Sequence, residues 1–384
     1  MDVLAHLAGA FALVALLVHL LTSLSASRRC RLPHQRVAAF THGPSVSIVR
    51  PVCGMDAYEE LTLRSTFELE YAGYEVLFCC ASADDPVVGL VRRLIVEHPS
   101  VHAHLLIGDE HKSKNPKLNN VAKGWRAASH DWIVIADSNV LMPPDYLQRL
   151  LTSWRHDTGL VSAPPIGSHP GTLWAELECA YLNTYQARWQ YAADSLGMGF
   201  AQGKTMLWRR SDLDGAGGIW ALAGEPAEDA AATKVVRAAG LRVRLPNGAF
   251  PQPLGVRSAR QVWARQVRWA RLRRGTFPGY FALESFSGLL APLLALVLAA
   301  SMLDYDDVIP LAAAYVGLWF AAEASLAAAA GWPFSWRAPL MCLLRELLLP
   351  TLWMQAWFGK SLSWRGNDMT VARDTEWMVR ASRS

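Results

Sequence analysis

Acidic residues directly follow two apolar runs of the sequence and precede one helical pattern. The positions are Asp84 and Asp85, Asp137, and Glu228 and Asp229. Carboxylates that meet at one point repel each other and need a cation, and their hard oxygens suit Mg²⁺ or Mn²⁺. Two or three of these acids at one site would therefore predict a bound divalent cation.

Each acidic group could instead cap a helix. For Asp84 and Asp85, and for the group 225–229 before a predicted helix 230–239, capping and ligand binding both stay open. Asp137 differs because two prolines delay the helix that follows it. A capping role is therefore less expected for Asp137.

A basic segment is the second feature with chemical potential. Residues 257–274 contain seven arginines and no acid, directly before the apolar C-terminal part of the chain. This composition predicts a basic helix at lipid headgroups. Within it, Arg265-Gln266-Val267-Arg268-Trp269 fits the pattern (Gln/Arg)-x-x-Arg-Trp. A membrane anchor alone is the alternative interpretation.

Short β-rich runs alternate with amphipathic patterns between residues 45 and about 255. The predicted strands are 46–52, 74–81, 101–107 and 132–136, and the predicted helices between them are 58–67, 87–97 and 118–128. This alternation predicts an α/β fold with parallel strands and crossover helices. Ligands of such sheets bind beyond the carboxyl ends of the strands, where the acidic residues are expected.

The composition favours a membrane protein. Of the 384 residues, 52% are hydrophobic and 18% are charged, which excludes a disordered or strongly polar chain. A net charge of +4 is too small to indicate a nucleic-acid partner. The six cysteines show no metal-ligand spacing, so buried reduced thiols of a cytoplasmic domain are expected.

Apolar runs occur at both ends of the chain. Residues 3–26 lack charge and are followed by a cluster of arginines, which predicts an uncleaved anchor with the next domain in the cytoplasm. Three further runs are 286–303, 308–331 and 338–358. The last contains Arg345 and Glu346, which are costly at mid-bilayer depth, so a re-entrant or interfacial placement is expected.

The predicted organisation follows from these patterns. It comprises an N-terminal transmembrane anchor (1–27), a cytoplasmic catalytic domain (41–255), a basic interfacial helix (256–280), two to three C-terminal membrane segments (281–360) and a basic tail (361–384).

The order of the motifs resembles a known enzyme family. The motifs are Glu68-Leu69-Glu70-Tyr71, Asp84-Asp85-Pro86, Asn115-Pro116-Lys117-Leu118-Asn119-Asn120, Asp137-Ser138, Ala227-Glu228-Asp229 and Arg265–Trp269. In this order they resemble the membrane-bound GT-A glycosyltransferases of family 21, the ceramide glucosyltransferases. The resemblance extends from about residue 45 to 274 and implies a nucleotide-diphospho-sugar transferase fold.

The resemblance implies roles on the donor side. Asp84 or Asp85 would hold the uridine of a UDP-sugar, and Asp137 would coordinate a Mg²⁺ or Mn²⁺ ion that bridges the diphosphate. Lys117 would reach a phosphate or, alternatively, point into solvent.

On the reacting side, the resemblance implies that Asp229 is the general base that deprotonates the acceptor. Arg265, Arg268 and Trp269 would stabilise the departing diphosphate and close the acceptor site. Gln186 and the stretch 197–204 depart from the animal members, which have a histidine and a cysteine-bearing stretch there. These departures leave the lipid and the sugar open.

The expected function is an inverting transfer of a hexose from a UDP-sugar to the primary hydroxyl of ceramide, with glucose as the expected hexose. The expected partners are this donor, a membrane lipid and the bilayer, at the cytoplasmic face of a cell inner membrane that the chain crosses several times. Diacylglycerol or a hopanoid polyol is the alternative acceptor, and a polysaccharide synthase is less expected. A non-catalytic membrane scaffold, with every acid a helix cap, is the competing class.

Overall fold

The computed structural model describes residues 2–31, 43–359, 361–364 and 367–370. These residues form two compact units. The sheet unit contains 43–169 and 193–255, and the helical unit contains 2–31, 170–192 and 256–370. Of the predicted basic tail, 361–384, residues 365–366 and 371–384 lie outside the described residues.

A seven-stranded sheet forms the centre of the sheet unit, in the order β3-β2-β1-β4-β7-β5-β8. The strands are β1 Val46–Pro51, β2 Tyr74–Cys80, β3 His102–Ile107, β4 Trp132–Ala136, β5 Thr158–Ser162, β7 Thr205–Arg209 and β8 Arg242–Arg244, while β6 Pro165–Pro170 and β9 Phe250–Gly255 pair separately. Strands β1 to β4 are parallel to one another, and β7 runs antiparallel to β4. The predicted α/β class and its first four strands are confirmed.

Helices cover both faces of this sheet. They are α2 Glu59–Arg64, α3 Val87–Glu97, α4 Pro116–Ala127, α5 Tyr146–Thr152, α8 Arg210–Gly215 and α9 Glu228–Ala238. Because neighbouring side chains of a strand point to opposite faces, Cys79 packs in the core beneath α4, and Cys80 packs in the core beneath α3. Both thiols are buried and free, as predicted.

The helical unit contains the apolar runs of the sequence. Its helices are α1 Asp2–Arg31, α6 Leu173–Ala180, a π-helix Tyr181–Ala187 that continues into α7 Arg188–Ser195, α10 Ala259–Thr276, α11 Pro278–Glu284, α12 Leu290–Met302, α13 Val308–Ala330 and α14 Ala338–Phe358. The backbone of 361–364 pairs with that of 367–370 as an antiparallel hairpin, β10 Ser361–Trp364 and β11 Asn367–Thr370.

Two of the described helices, α1 and α13, are long and apolar enough to cross a membrane. Helix α12 has 13 residues and so a length of about 20 Å, short of a hydrocarbon core of about 30 Å. In α14, Arg345 is fully buried and contacts Glu323 at 2.7 Å and Glu346 at 2.5 Å. These charges therefore face the interior of the helical unit, and the number of C-terminal membrane segments stays a prediction.

Candidate active site

Asp137, Lys117 and the acidic pair Glu228 and Asp229 come together at one end of the sheet unit. Asp137 is the first residue after β4, and Lys117 is the second residue of α4. Helix α9 begins with Glu228 and Asp229, where carboxylates are stabilised by the positive end of the helix dipole. Three sequence-distant motifs thus meet beyond a carboxyl strand end, as the α/β pattern predicts.

The ammonium of Lys117 lies at the centre of this cluster. Its Nζ is 2.6 Å from Asp137 Oδ1, 2.6 Å from Glu228 Oε1 and 2.6 Å from the carbonyl oxygen of Gly203, to which it donates a hydrogen bond. Only 9% of the side chain is exposed. Burial lowers the pKa of Lys117, but the two carboxylates outweigh it and raise the pKa above its usual range. The solvent-exposed alternative for Lys117 is therefore wrong.

Asp137 holds a second ammonium on its other oxygen. Lys204 Nζ lies 2.8 Å from Asp137 Oδ2 and donates to Asn139 Oδ1 at 3.1 Å. The antiparallel pairing of β4 with β7 places Lys204 opposite Asp137, whose N–H donates to the Lys204 carbonyl. Burial raises the pKa of Asp137, but Lys117 and Lys204 outweigh it and hold that pKa well below its usual range.

Asp229 has the opposite electrostatic environment. Its Oδ2 accepts a hydrogen bond from the Gly203 N–H at 2.9 Å, and its Oδ1 accepts one from Ala230 N–H at 2.8 Å. Burial and the neighbouring charge of Glu228 raise the pKa of Asp229 to about 6, against the lowering effect of these donors and of Lys117. The carboxyl can therefore bind and release a proton near neutral pH.

Asn115 and Gly203 fix the geometry around these acids. Asn115 Nδ2 donates to Glu228 Oε2 at 2.8 Å, while its Oδ1 accepts from the Leu118 N–H and so caps α4. A Cβ atom at Gly203 would lie 2.9 Å from Glu228 Oε1 and 3.2 Å from Lys117 Nζ. Glycine at 203 therefore lets the backbone approach the cluster closely.

Sequence reasoning missed the role of Arg50, which lies in β1 and is fully buried. Its guanidinium donates to the carbonyl oxygens of Asp137, Ser138 and Val140 at 2.8–3.1 Å, and to that of Thr62 at 2.8 Å. The side chain thus holds the turn that presents the Asp137 carboxylate. The signal available in the sequence is an arginine in an apolar strand, since buried arginines need partners.

Asp84 and Asp85 lie after β2 in different environments. Asp84 is exposed, whereas the Asp85 carboxylate accepts hydrogen bonds from the Gly54 N–H at 2.9 and 3.0 Å and from Val87 N–H at 3.0 Å. Asp85, which precedes the N-cap residue Pro86, therefore binds the first N–H of α3 and also joins this helix to the loop after β1. These contacts leave Asp84 as the residue of the pair with the more accessible side chain.

The model of the glycosyl transferase family 21 matches residues 7–377 of the chain, nearly its whole length. The chain belongs to glycosyl transferase family 21. The predicted enzyme class, a hexosyltransferase, is confirmed by this membership together with the names of curated relatives.

Among the relatives of this family 21 chain is ceramide glucosyltransferase 3 of Caenorhabditis elegans, which is 28% identical over 88% of the chain and 75% of that protein. The ceramide glucosyltransferase of Komagataella phaffii is 31% identical over 60% of the chain and 56% of that protein. Among solved structures, a mannosyltransferase from Pyrobaculum calidifontis in complex with GDP-Man and Mn²⁺ has 19% identity and a TM-score of 0.50, and the match covers 91% of this chain and 97% of that one. This similarity supports the GT-A fold of the family 21 chain.

The remaining predicted residues of the family 21 chain, Arg265, Arg268 and Trp269, lie on α10 in the helical unit. A capping box between Ser258 and Gln261 begins this helix. The Arg265 guanidinium forms an ion pair with the fully buried Glu178 of α6. Arg268 and Trp269 are half-buried. The motif is thus helical, and the ion pair of Arg265 with Glu178 joins α10 to α6.

The described residues contain no group of three or more His, Cys, Asp or Glu side chains arranged to hold a metal ion. The chemistry of the Asp137 region nevertheless suits one, because Mg²⁺ is commonly bound by one or two carboxylates and completed by substrate phosphates. Asp137 and Glu228 supply hard carboxylate oxygens that already surround a cationic group. Asp137 therefore fits a metal that arrives with a diphosphate.

Proposed function

We propose that the chain transfers glucose from UDP-glucose to the primary hydroxyl of ceramide, with inversion, at the cytoplasmic face of a cell inner membrane. The curated relatives named ceramide glucosyltransferase support this donor and acceptor. Helices α1 and α13 support a membrane location. The observation that carries the chemistry is the Asp229 carboxylate, which lies beside the lysine and acid cluster and has a pKa of about 6.

Asp229 would act as the general base. A carboxyl with a pKa near 6 is mostly ionised at pH 7 and is more basic than an ordinary aspartate, as proton abstraction requires. It would take the proton of the ceramide hydroxyl while that oxygen bonds to the anomeric carbon and UDP leaves from the opposite side. The proton then resides on the Asp229 carboxyl until solvent removes it.

Lys117 and Lys204 would stabilise the negative charge that develops on the departing diphosphate, since both ammoniums are already held at Asp137. Asp137 would hold a divalent cation, which when bound supplies further neutralisation of that charge. Asp84 or Asp85 would contact the uridine. Arg265, Arg268 and Trp269 would act on the diphosphate and the acceptor, as the family motif implies.

The test is a product analysis with purified protein in lipid vesicles. UDP-glucose and other UDP-sugars are offered with ceramide, diacylglycerol or a hopanoid polyol, and products are identified by mass spectrometry. We expect glucosylceramide from the wild type and at least a thousandfold lower turnover from Asp229→Asn. Asp212→Asn changes another aspartate in the first turn of a helix, but one that is exposed, and should retain full activity.

If a product forms with diacylglycerol or a hopanoid polyol and none forms with ceramide, ceramide is not the acceptor and the lipid that reacts takes its place in the proposal. Turnover retained by Asp229→Asn would remove Asp229 from the role of base.

A further inference from the structure

The Lys117 ammonium is surrounded by oxygen atoms of the kind that bind metal cations. An ammonium has three N–H donors, and the three oxygens at 2.6 Å from Lys117 Nζ use all of them. Two of these oxygens are carboxylates and the third is a backbone carbonyl, which is the hard-oxygen set that divalent cations prefer. The contacts of the Lys204 ammonium include the Asp137 carboxylate and the side-chain amide oxygen of Asn139.

Both oxygens of Asp137 are engaged by ammoniums, Oδ1 by Lys117 and Oδ2 by Lys204. Each oxygen keeps a second lone pair, but a metal ion bound there would lie next to an ammonium, and the two cations repel each other. Lys117 lies on the better oxygen set, because Glu228 and the Gly203 carbonyl also contact its Nζ. Competition for the metal should therefore fall mainly on Lys117.

The formal charge of the cluster leads to the same expectation. Asp137, Glu228 and Asp229 against Lys117 and Lys204 leave a net charge of −1. A divalent cation alone would make the net charge positive, and the two negative charges of a nucleotide-sugar diphosphate alone would make it more negative. The two together leave the net charge unchanged. Joint binding is thus electrostatically favoured over either step alone.

We propose that Lys117 is a built-in counter-cation of the donor site, which a divalent cation must displace from Asp137 and Glu228, so that metal and nucleotide diphosphate bind together. The proposal rests on the nucleotide-sugar donor proposed above. In the absence of nucleotide, Lys117 keeps the carboxylates together and disfavours binding of the metal. When the diphosphate arrives, it offers the ammonium a new partner and leaves carboxylate oxygens to the metal.

Binding of Mn²⁺ to the purified full-length chain tests this without turnover or a lipid acceptor. Free Mn²⁺ is followed by its electron paramagnetic resonance signal, with and without UDP. We expect UDP to tighten Mn²⁺ binding to the wild type at least tenfold. Lys117→Met should bind Mn²⁺ without UDP at least tenfold more tightly than the wild type, with a smaller effect of UDP.

Lys234→Met is the matched control, since Lys234 of α9 also forms an ion pair with a glutamate, Glu225, which is not one of the acids of the Lys117 cluster. It should behave as the wild type. If Lys117→Met does not fold, as judged by its thermal transition, Lys117→Gln, which keeps a hydrogen-bond donor without the charge and leaves both carboxylates in place, is judged by the same criterion.

A folded Lys117→Met protein that binds Mn²⁺ no more tightly than the wild type would overturn the proposal, even where UDP binding is normal. A wild type that binds neither UDP nor Mn²⁺ would overturn the proposed donor as well. The two failures are therefore distinguishable, because the first leaves the binding of UDP intact.

Discussion

The ionised carboxylate of Asp229 destabilises the folded sheet unit, and an Asp229→Asn variant should remove that cost together with the activity. Burial and Glu228 raise the pKa of Asp229 from 3.8 to about 6. At about 1.4 kcal/mol per pKa unit, the ionised form costs about 3 kcal/mol at pH 8. Asparagine carries no charge but can accept only one of the hydrogen bonds from Gly203 and Ala230, a loss of about 1 kcal/mol.

The net gain for Asp229→Asn is therefore about 1–2 kcal/mol at pH 8. Because the pKa of Asp229 is higher in the folded state, its contribution to stability is present below about pH 4 and is lost as the pH rises through about 6. The variant lacks this loss. Its advantage should thus be absent at pH 4.5, grow through pH 6 and level off above pH 7.

Thermal unfolding in detergent, followed by tryptophan fluorescence between pH 4.5 and 8.5, measures this difference. A gain of 1–2 kcal/mol corresponds to a rise in Tm of about 2–8 °C at pH 8 for a unit of this size. Asp212→Asn, at an exposed helix start, should leave Tm within about 1 °C of the wild type at every pH. A Tm difference that is independent of pH, or a lower Tm for Asp229→Asn at pH 8, would refute the electrostatic reasoning.

Substitutions at three further positions of the candidate site, Glu228, Arg50 and Gly203, test the other parts of this reasoning. The kcat/KM of the wild type should decrease as the pH falls below about 6, where Asp229 becomes protonated. Burial and the charge of Glu228 together raise the pKa of Asp229, so Glu228→Gln should shift this decrease to lower pH. A pH–rate profile with an unshifted decrease would contradict this. Arg50→Met leaves the carbonyls of the turn after β4 without their donor and should lower the free energy of unfolding by about 3 kcal/mol or more in urea titrations, with a smaller loss for Arg50→Lys. Gly203→Ala should reduce kcat at least tenfold, since its Cβ would lie 2.9 Å from a carboxylate oxygen of Glu228. Gly89→Ala on α3, whose Cβ would have no atom from outside its own helix backbone and chain neighbours within 4 Å, should leave kcat unchanged. Equal effects of the two substitutions would argue against a crowded site.

The secondary structure of the sheet unit up to β4 is largely predictable from the sequence, whereas β5 to β9 are not predicted. The predicted strand 132–136 coincides with β4, and the predicted helix 87–97 coincides with α3. Both patterns depend on side-chain periodicity within a single element, which is a local property of the chain. The position of Asp137 at a carboxyl strand end follows from the same reasoning, because parallel strands end at the same edge of a sheet.

The helical unit contains a charge pairing that local patterns do not report, while the membrane placement of α14 stays a prediction. Arg345 and Glu346 predict an interfacial or re-entrant segment if α14 is considered alone. The structure buries both in the helical unit, where Arg345 also contacts Glu323 of α13. Burial of a charge beside its partner depends on a second helix, which the hydropathy of one segment does not report.

The sequence by itself determined the α/β class, the family motifs and the acidic residues that follow or precede the elements of the sheet unit. Only the tertiary structure decided that one ammonium, that of Lys117, joins Asp137 to Glu228, that Arg50 holds the turn of Asp137, and that Gly203 contacts the base. None of these contacts joins neighbours along the chain: Gly203 and Asp229 are 26 positions apart, and Arg50 and Ser138 are 88 apart. Composition and periodicity report the neighbours of a residue along the chain, whereas the protonation and the charge balance of this site depend on its neighbours in space.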